Sequence, residues 1–470
     1  MEMDSMMSQK KETGPVKNED KREITLVLKK IRGKTLFTFF NPVVVEPLEL
    51  EYIETVLQDL PLEVVIEDPF FTKKQEEGDI YLFNGYNTGF EAMKREAKRI
   101  KGGNPEKIII LSGVDVQVNG EQYMEEDFDY VFTSPDLTVF RTFMEGLLKG
   151  ETLRVPGLLI NYGDRWERVP KENQASESRE IGLSAELPIP SRRFYHQHKD
   201  QTYYLLYQRV ALLKKSMGCP YTCRFCFCRN LNEGRYVEGS FQRMFQEMET
   251  IDADYFWAVD DVFLKNKRDV EEFLKAQREH RMKMKVRRPK PLIVYLRADF
   301  IRSEEESLKA LKEAGITEMI IGLESVKEET LKRYEKGVTG DDNAEAVKIL
   351  NEAGISYTAL FMVDPSHRVE DFKALKQFIR GYGIEKYTFS IFTPIKGADD
   401  YEEYKEDLID PDQTKYDFLH LVLPPKHMSR MRFQWEFIRL HLFQFFHSGD
   451  ARRILMNGIL QSLMKGRWRR

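Results

Sequence analysis

Twice along this chain, short apolar strand-like runs alternate with helix-spaced segments, and that alternation restricts the fold more than any other feature. In the first stretch, residues 62–66, 79–83, 108–111 and 129–132 read as strands. Helical apolar spacing fills 48–60, 90–100 and 137–148, as in Leu48, Ile53, Val56, Leu57 and Leu60. A further β-type run over 35–40 is ended by Asn41-Pro42. In the second stretch, strands are expected over 207–214, 255–259, 292–296, 319–322, 356–363 and 386–392. Helices are expected over 242–250, 269–279, 304–314, 343–353 and 370–380. Gly315 and Gly354 follow two of these helices, where a left-handed stop is easiest for glycine. Strands alternating with helices make a parallel sheet covered on both faces, and ligands bind beyond the carboxyl ends of its strands. Six such units with right-handed crossovers suit a partial barrel.

The expected class is therefore α/β. An N-terminal Rossmann-like parallel sheet takes residues 23–164, and a linker rich in Pro, Ser, Glu and Arg takes 165–198. A partial (β/α)6 barrel follows over 199–394, then a helical C-terminal region over 395–470. Residues 1–22, charged and containing Ser, Gly and Pro, read as a disordered tail. No apolar run is long enough to cross a bilayer, and no apolar core of a secretory signal is present. The net charge of −5 over 470 residues argues against a general nucleic-acid-binding surface. The end of the sequence, from Arg452 to Arg470, is a basic amphipathic segment. Two readings of it are open, peripheral contact with a membrane surface and the commoner solvated face.

All four cysteines, Cys219, Cys223, Cys226 and Cys228, fall just after the first strand of the second stretch. So tight a group excludes a disulfide framework. The spacing Cys219-x-x-x-Cys223-x-x-Cys226 offers an iron–sulfur cluster three thiolates and leaves one iron without a protein ligand. A cluster built for electron storage is normally held by four, so something else binds that iron. Zinc is the main alternative, but it takes four ligands, commonly from two separated C-x-x-C pairs. This chain has neither a second pair nor a nearby His. Buried structural cysteines do not account for three thiols on one Gly- and Pro-containing loop. An oxygen-labile cluster fits a reducing cytoplasm. Cys228 lies outside the motif and reads as a spectator thiol.

This loop, with Phe225 before its last ligand, resembles that of the radical S-adenosylmethionine (SAM) superfamily. The resemblance implies a 4Fe-4S cluster on Cys219, Cys223 and Cys226, with SAM chelating the open iron through its amino and carboxylate groups. It also implies an external one-electron donor, such as flavodoxin or ferredoxin, and reductive cleavage of SAM to a deoxyadenosyl radical. Phe225 matches the aromatic near the SAM adenine. Asp260-Asp261-Val262-Phe263 resembles the family's D-D-x-F segment, which lies at the SAM amino group; adjacent acids on a strand point to opposite faces, so at most one meets the cavity. Arg297-Ala298-Asp299 resembles R-A-D, which implies a cation for the SAM carboxylate. Gly322-Leu323-Glu324-Ser325 resembles G-x-E-S, which implies that Glu324 and Ser325 reach the ribose or amino group. Where relatives carry a G-L-P-G-E-T-like turn, this chain reads Asp364-Pro365-Ser366-His367 and lacks the glycines. Each match alone is explained by a turn or a surface ion pair; their order, each at a strand end, carries the resemblance.

The first stretch resembles the cobalamin-binding domain that precedes the barrel in the cobalamin-dependent class of that superfamily. Asn41-Pro42 with Glu46-Pro47-Leu48, then Ile109 to Asp115, then Asp129-Tyr130-Val131-Phe132 follow its order. The resemblance implies cobalamin near Ser112, Gly113 and Asp115. There is no D-x-H-x-x-G run, and the first His is His196, so no His of this block ligates cobalt. Asp115 stands where relatives have a loop His, and Ser112 where they have a glycine. Two alternatives stay open, cobalamin held without a His and a degenerate domain without cobalamin. Asp417 to Leu421 with Pro424-Pro425 resembles the closing segment of the class. His420 and His427 are thus candidates for substrate contact or proton transfer, against plain helix packing.

The implied reaction is methylation of an unactivated carbon on a small-molecule or lipid-like substrate. The alternatives are cobalamin-independent cyclisation, C–C coupling or rearrangement, and a non-catalytic redox or iron-sensing module. Methylthio transfer to tRNA needs a second cluster for which no cysteines remain, and no nucleic-acid partner is expected.

Overall fold

The computed structural model describes residues 23–35, 42–151, 153–171, 187–285, 287–454 and 456. The expected tail over 1–22, nearly all of the β-type run over 35–40, the middle of the expected linker and most of the basic segment lie outside the described residues.

The strands, in chain order, are β1 (Ile24–Ile31), β2 (Val43–Val44), β3 (Leu62–Glu67), β4 (Ile80–Gly85), β5 (Ile108–Ser112), β6 (Tyr130–Phe132), β7 (Leu158–Asn161), β8 (Trp166–Arg168) and β9 (Tyr203–Tyr204). They continue as β10 (Tyr207–Gln208), β11 (Val210–Leu213), β12 (Ser216–Met217), β13 (Val237–Glu238), β14 (Tyr255–Ala258), β15 (Leu292–Arg297), β16 (Ile316–Glu324), β17 (Tyr357–Val363) and β18 (Tyr387–Ile391).

The first sheet has the order β3-β1-β4-β5-β6-β7-β8. Strand β1 pairs in parallel with both β3 and β4 and so lies inside the sheet. The sequence reading placed no strand there, because Lys29-Lys30 interrupts the apolar run. Both lysines are buried and compensated: Lys29 pairs with Glu96 at 2.5 Å and Glu67 at 3.1 Å, and Lys30 bonds Asn84 at 2.5 Å. The sheet is not wholly parallel as expected, since β7 and β8 join it antiparallel. Strand β8 also lies inside the stretch expected to be a linker, where Arg193–His198 is in turn a helix. One face of the sheet is covered by the helices Leu48–Leu57 and Leu137–Leu148. The other is covered by Phe90–Gly103 and Val114–Asn119.

The second sheet is all parallel in the order β11-β14-β15-β16-β17-β18, and its two edges do not meet. It curls into the expected partial barrel, with helices including Phe241–Glu249, Lys267–Met284, Gly340–Glu352 and Val369–Gly381 packed outside. The amino-terminal floor of the barrel is closed. The Tyr204 ring lies 4.4 Å from Trp257, and both join a cluster with Leu212, Ile293 and Ile320. Below them Glu318, fully buried, accepts from Tyr207 Oη (2.8 Å), Ser356 Oγ (2.7 Å) and Thr358 Oγ1 (2.7 Å) and pairs with Lys386. A carboxylate so compensated is tolerated in a core. Only the carboxyl ends of the strands remain for a ligand.

Arg192 joins the two sheet domains. It is 1% exposed. It pairs with Glu46 (3.0 Å) and Glu51 (3.3 Å) of the first domain and with Glu247 of the second, and donates to the Leu212 carbonyl at 2.5 Å. Glu46 also accepts from Leu212 N at 2.6 Å. Toward the end of the chain, the helix Arg430–His447 buries Phe433, Phe437 and Leu440 against the barrel. No helix among the described residues is long and apolar enough to cross a membrane.

Candidate functional site

The cysteine loop leaves the sheet after β11, at the open end of the barrel. Asp260, just past β14, is fully buried and pins the chain entering the loop. Its Oδ1 accepts from Lys215 N (2.9 Å), from Ser216 Oγ (2.6 Å) and from Ser216 N. Its Oδ2 is buried without a partner. Gly218 sits at φ +76°, and a Cβ there would come within 2.3 Å of the Arg235 carbonyl oxygen. The return of the loop on itself therefore requires glycine.

The three motif thiols act on one another. Burial pushes Cys219 up to about 11, with Asp261, Cys226 and Cys223 adding to the rise. Burial also raises Cys223, against the pull of Lys336 and Arg297. Among the described residues, no three His, Cys, Asp or Glu are grouped as ligands of a single metal ion. Three soft donors on one loop, one of them 3.8 Å from a guanidinium, fit an iron–sulfur cluster. Cys226 and burial raise the Cys228 thiol well above its ordinary value, and Asp261 adds to the rise.

Arg297 ends β15 and is already engaged. Its Nη1 lies 3.8 Å from Cys223 Sγ, its Nη2 donates to the Lys336 carbonyl at 2.5 Å, and its Nε meets Asp299 at 3.0 Å. The guanidinium also stacks 3.9 Å over the Tyr221 ring. A cation for the SAM carboxylate is expected here, with a surface salt bridge as the alternative; the structure engages Arg297 with the cysteine loop and with Asp299. Glu324 ends β16 at a bulge, with φ +59°, and pairs with Lys336 at 2.8 Å. A Cβ at Gly322 would meet Glu324 Oε1 at 2.4 Å and Lys336 Nζ at 2.8 Å. The glycine of this motif thus makes room for the pair. Ser325 is buried, and its hydroxyl accepts from Lys327 N at 3.1 Å rather than facing the mouth.

Phe225 packs 5.0 Å from the Tyr334 ring, and Arg224 N donates to the Tyr334 carbonyl at 3.1 Å. Tyr334 in turn donates to Asp364 at 2.8 Å. Asp364 also pairs with Arg333 and accepts from Ser366 N (2.8 Å) and Ser366 Oγ (2.5 Å). The turn that lacks the family's glycines is thus organised by one buried carboxylate. The sequence reading missed Tyr334 and Lys336, which no motif marks. It also missed 396–404, which clamps the loop: Asp400 N donates to the Arg224 carbonyl (3.2 Å) and Asn230 Nδ2 to that of Gly397 (2.6 Å). From the first domain, Asn119 Nδ2 reaches the Lys396 carbonyl at 2.8 Å.

The carboxyl edge of the first sheet faces the same mouth. Burial raises the Tyr295 phenol, and the charges of Asp261, of Tyr86 just beyond β4 and of Cys228 add to it. Ser112 Oγ is buried with no protein partner. Gly113 has φ +131° and approaches Gly85 so closely that a Cβ would lie 2.9 Å from its carbonyl oxygen. Asp115, expected in the cofactor loop, turns inward instead, bonding Asn119 (2.9 Å), Gln122 (2.7 Å) and Tyr123. An orphaned hydroxyl at the edge fits a polar cofactor laid there. Nothing on this edge supplies a His. His420 is held by Asp417 at 2.9 Å, and His427 is exposed. Neither is bonded to the loop residues described above.

Comparison with known proteins gives the same assignment. Residues 213–379 match the Radical SAM superfamily. Bacteriochlorophyllide d C-8(2)-methyltransferase of Chlorobaculum tepidum is 26% identical over 48% of this chain and 51% of its own length. Anaerobic magnesium-protoporphyrin IX monomethyl ester cyclase of a Synechocystis species is 29% identical over 48% of this chain and 46% of its own. The chain thus spans about half the length of these relatives. The solved structure of the cobalamin-dependent SAM radical enzyme OxsB, with aqua-cobalamin and SAM bound, covers 90% of this chain and 67% of its own at a TM-score of 0.65 and 15% identity. It shares the two-domain fold. A barrel with three thiols on the loop after its first strand and strand-end motifs in order agrees with that match and marks residues 213–379 as a radical SAM domain.

Proposed function

We propose that the protein is a radical SAM enzyme that methylates an unactivated carbon of a small molecule, with cobalamin between its two sheet domains. When bound, the cluster supplies one electron, SAM the adenosyl radical and cobalamin the methyl group. The chain's own residues position and shield these groups. Cys219, Cys223 and Cys226 would hold the cluster, with Arg297 beside Cys223 as a positioning cation. Glu324, fixed by Lys336, and the free Oδ2 of Asp260 offer acceptors for an ammonium group. Phe225, backed by Tyr334, offers an apolar wall. Ser112, Gly113 and Tyr86 would meet cobalamin, with no His among them. The closed barrel floor and the first domain over the mouth exclude water from a reactive radical. An external one-electron donor in a reducing cytoplasm completes the scheme.

The orphaned Ser112 hydroxyl at the edge facing the cysteine loop carries the cobalamin part of this reading. Anaerobic purification with added hydroxocobalamin, followed by optical spectra and metal counting, tests it: cobalt near one per chain is expected. The cyclase relative supports a second reading, radical cyclisation without methyl transfer, and iron without cobalt would favour that one.

A further inference from the structure

The helix Arg430–His447 is apolar on two opposite faces. Phe433, Phe437 and Leu440 face the barrel and are buried. Met431, Trp435, Ile438, Leu442 and Phe446 are exposed by 80%, 52%, 50%, 47% and 72%. At 3.6 residues per turn these five fall within an arc of about 80°. They form one stripe along the outer side, not scattered surface residues. Arg430, Arg432 and Arg439 flank it. Arg432 and Arg439 share a single buried partner, Glu436, at 2.6 and 3.2 Å, so the flank keeps an excess of positive charge.

The charge of the chain is segregated toward this helix. Residues 451–470 contain no Asp or Glu and six cations, Arg452, Arg453, Lys465, Arg467, Arg469 and Arg470. That segment carries +6, and the remaining 450 residues carry −11. The same face of a second copy, or the basic segment folded back, would bring positive charge onto a positive flank. An anionic surface would not. An apolar stripe containing Trp, rimmed by Arg and followed by a purely cationic segment, has the composition of a helix lying in a membrane interface.

We infer that the outer stripe of the helix Arg430–His447, with the basic residues that follow, docks the enzyme on an anionic phospholipid surface. The helix lies along the bilayer and does not span it. This inference stands apart from the reaction proposed above.

The test is flotation of the full chain with vesicles of phosphatidylcholine containing about one third phosphatidylglycerol, and with phosphatidylcholine alone. The triple variant Trp435→Ser, Ile438→Ser, Phe446→Ser is compared, with its thermal unfolding measured to confirm an unchanged fold. The wild type is expected to float with the anionic vesicles, less so as salt rises, and the triple variant to partition at least about tenfold more weakly. Equal flotation of the triple variant, or no flotation of the wild type, would overturn the inference. So would a lipid-free dimer that the triple variant converts to a monomer, because the stripe would then be a contact between copies.

Discussion

Arg297 Nη1 and Cys223 Sγ stand 3.8 Å apart at the open end of the barrel, and the arginine is fixed there by the Lys336 carbonyl and the Tyr221 ring. A cation so close to a cluster ligand favours the reduced cluster. Arg297→Met is expected to keep iron but shift the reduction potential negative, on the order of 50 mV, measured by EPR-monitored titration. Arg297→Lys keeps the charge but not the forked geometry, so it should recover only part of the shift.

Gly322→Ala places a methyl where Glu324 Oε1 and Lys336 Nζ now meet. The pair must separate, at a cost of about 1–3 kcal/mol in stability. Denaturant unfolding should show that loss, and the KM for SAM should rise more than kcat falls.

The adjacent acids at the end of β14 are predicted to behave differently. Asp260 accepts from the chain entering the cysteine loop. Asp260→Ala leaves those buried donors unpaired and should lower stability by roughly 2–4 kcal/mol, with loss of iron. Asp261 makes none of the hydrogen bonds that pin the chain entering the loop and should tolerate Asn with little change in stability. Parallel denaturant curves and iron assays separate the two.

Arg192 bridges three buried carboxylates, Glu46, Glu51 and Glu247, that draw the domains together, and Arg243 pairs with Glu247 as well, at 2.8 Å. Arg192→Met should cost about 3–5 kcal/mol, because uncompensated carboxylates stay behind. Burial, with Glu51 opposing Arg192, holds Glu46 up at about 7 in the folded chain, against an ordinary value of 4.5. The folded state therefore binds the proton more tightly than the unfolded state. Stability from this group is full below about 4.5 and is lost as pH rises through about 7. Glu46→Gln still accepts from Leu212 N and should flatten the stability profile between those values, as melting at several pH values would show.

What could be read in the sequence followed periodicity and motif order. The six barrel strands were legible because each carries an apolar run or, in β18, an apolar–polar alternation, and the cluster loop because its spacing suits few other chemistries. Strand β1 was hidden by Lys29-Lys30, whose partners Glu67, Glu96 and Asn84 come from other elements. The antiparallel β7 and β8 carry no helix between them, so the strand–helix alternation did not mark them. In the site, the motifs marked Arg297 and Glu324 but not what they touch. Lys336, which fixes both, and Tyr334, which backs Phe225, lie between motifs and acquire their roles only through the fold. Asp115 looked like a loop residue because β5 ends at Ser112, yet the helix Val114–Asn119 turns it toward Tyr123.

The most direct test is SAM cleavage by the reconstituted protein. With iron and sulfide supplied anaerobically and dithionite as reductant, the wild type is predicted to yield 5′-deoxyadenosine from SAM. Cys219→Ala, Cys223→Ala and Cys226→Ala should each abolish it, while Cys228→Ala should not. Iron content and cleavage unchanged in the three motif variants would contradict the account.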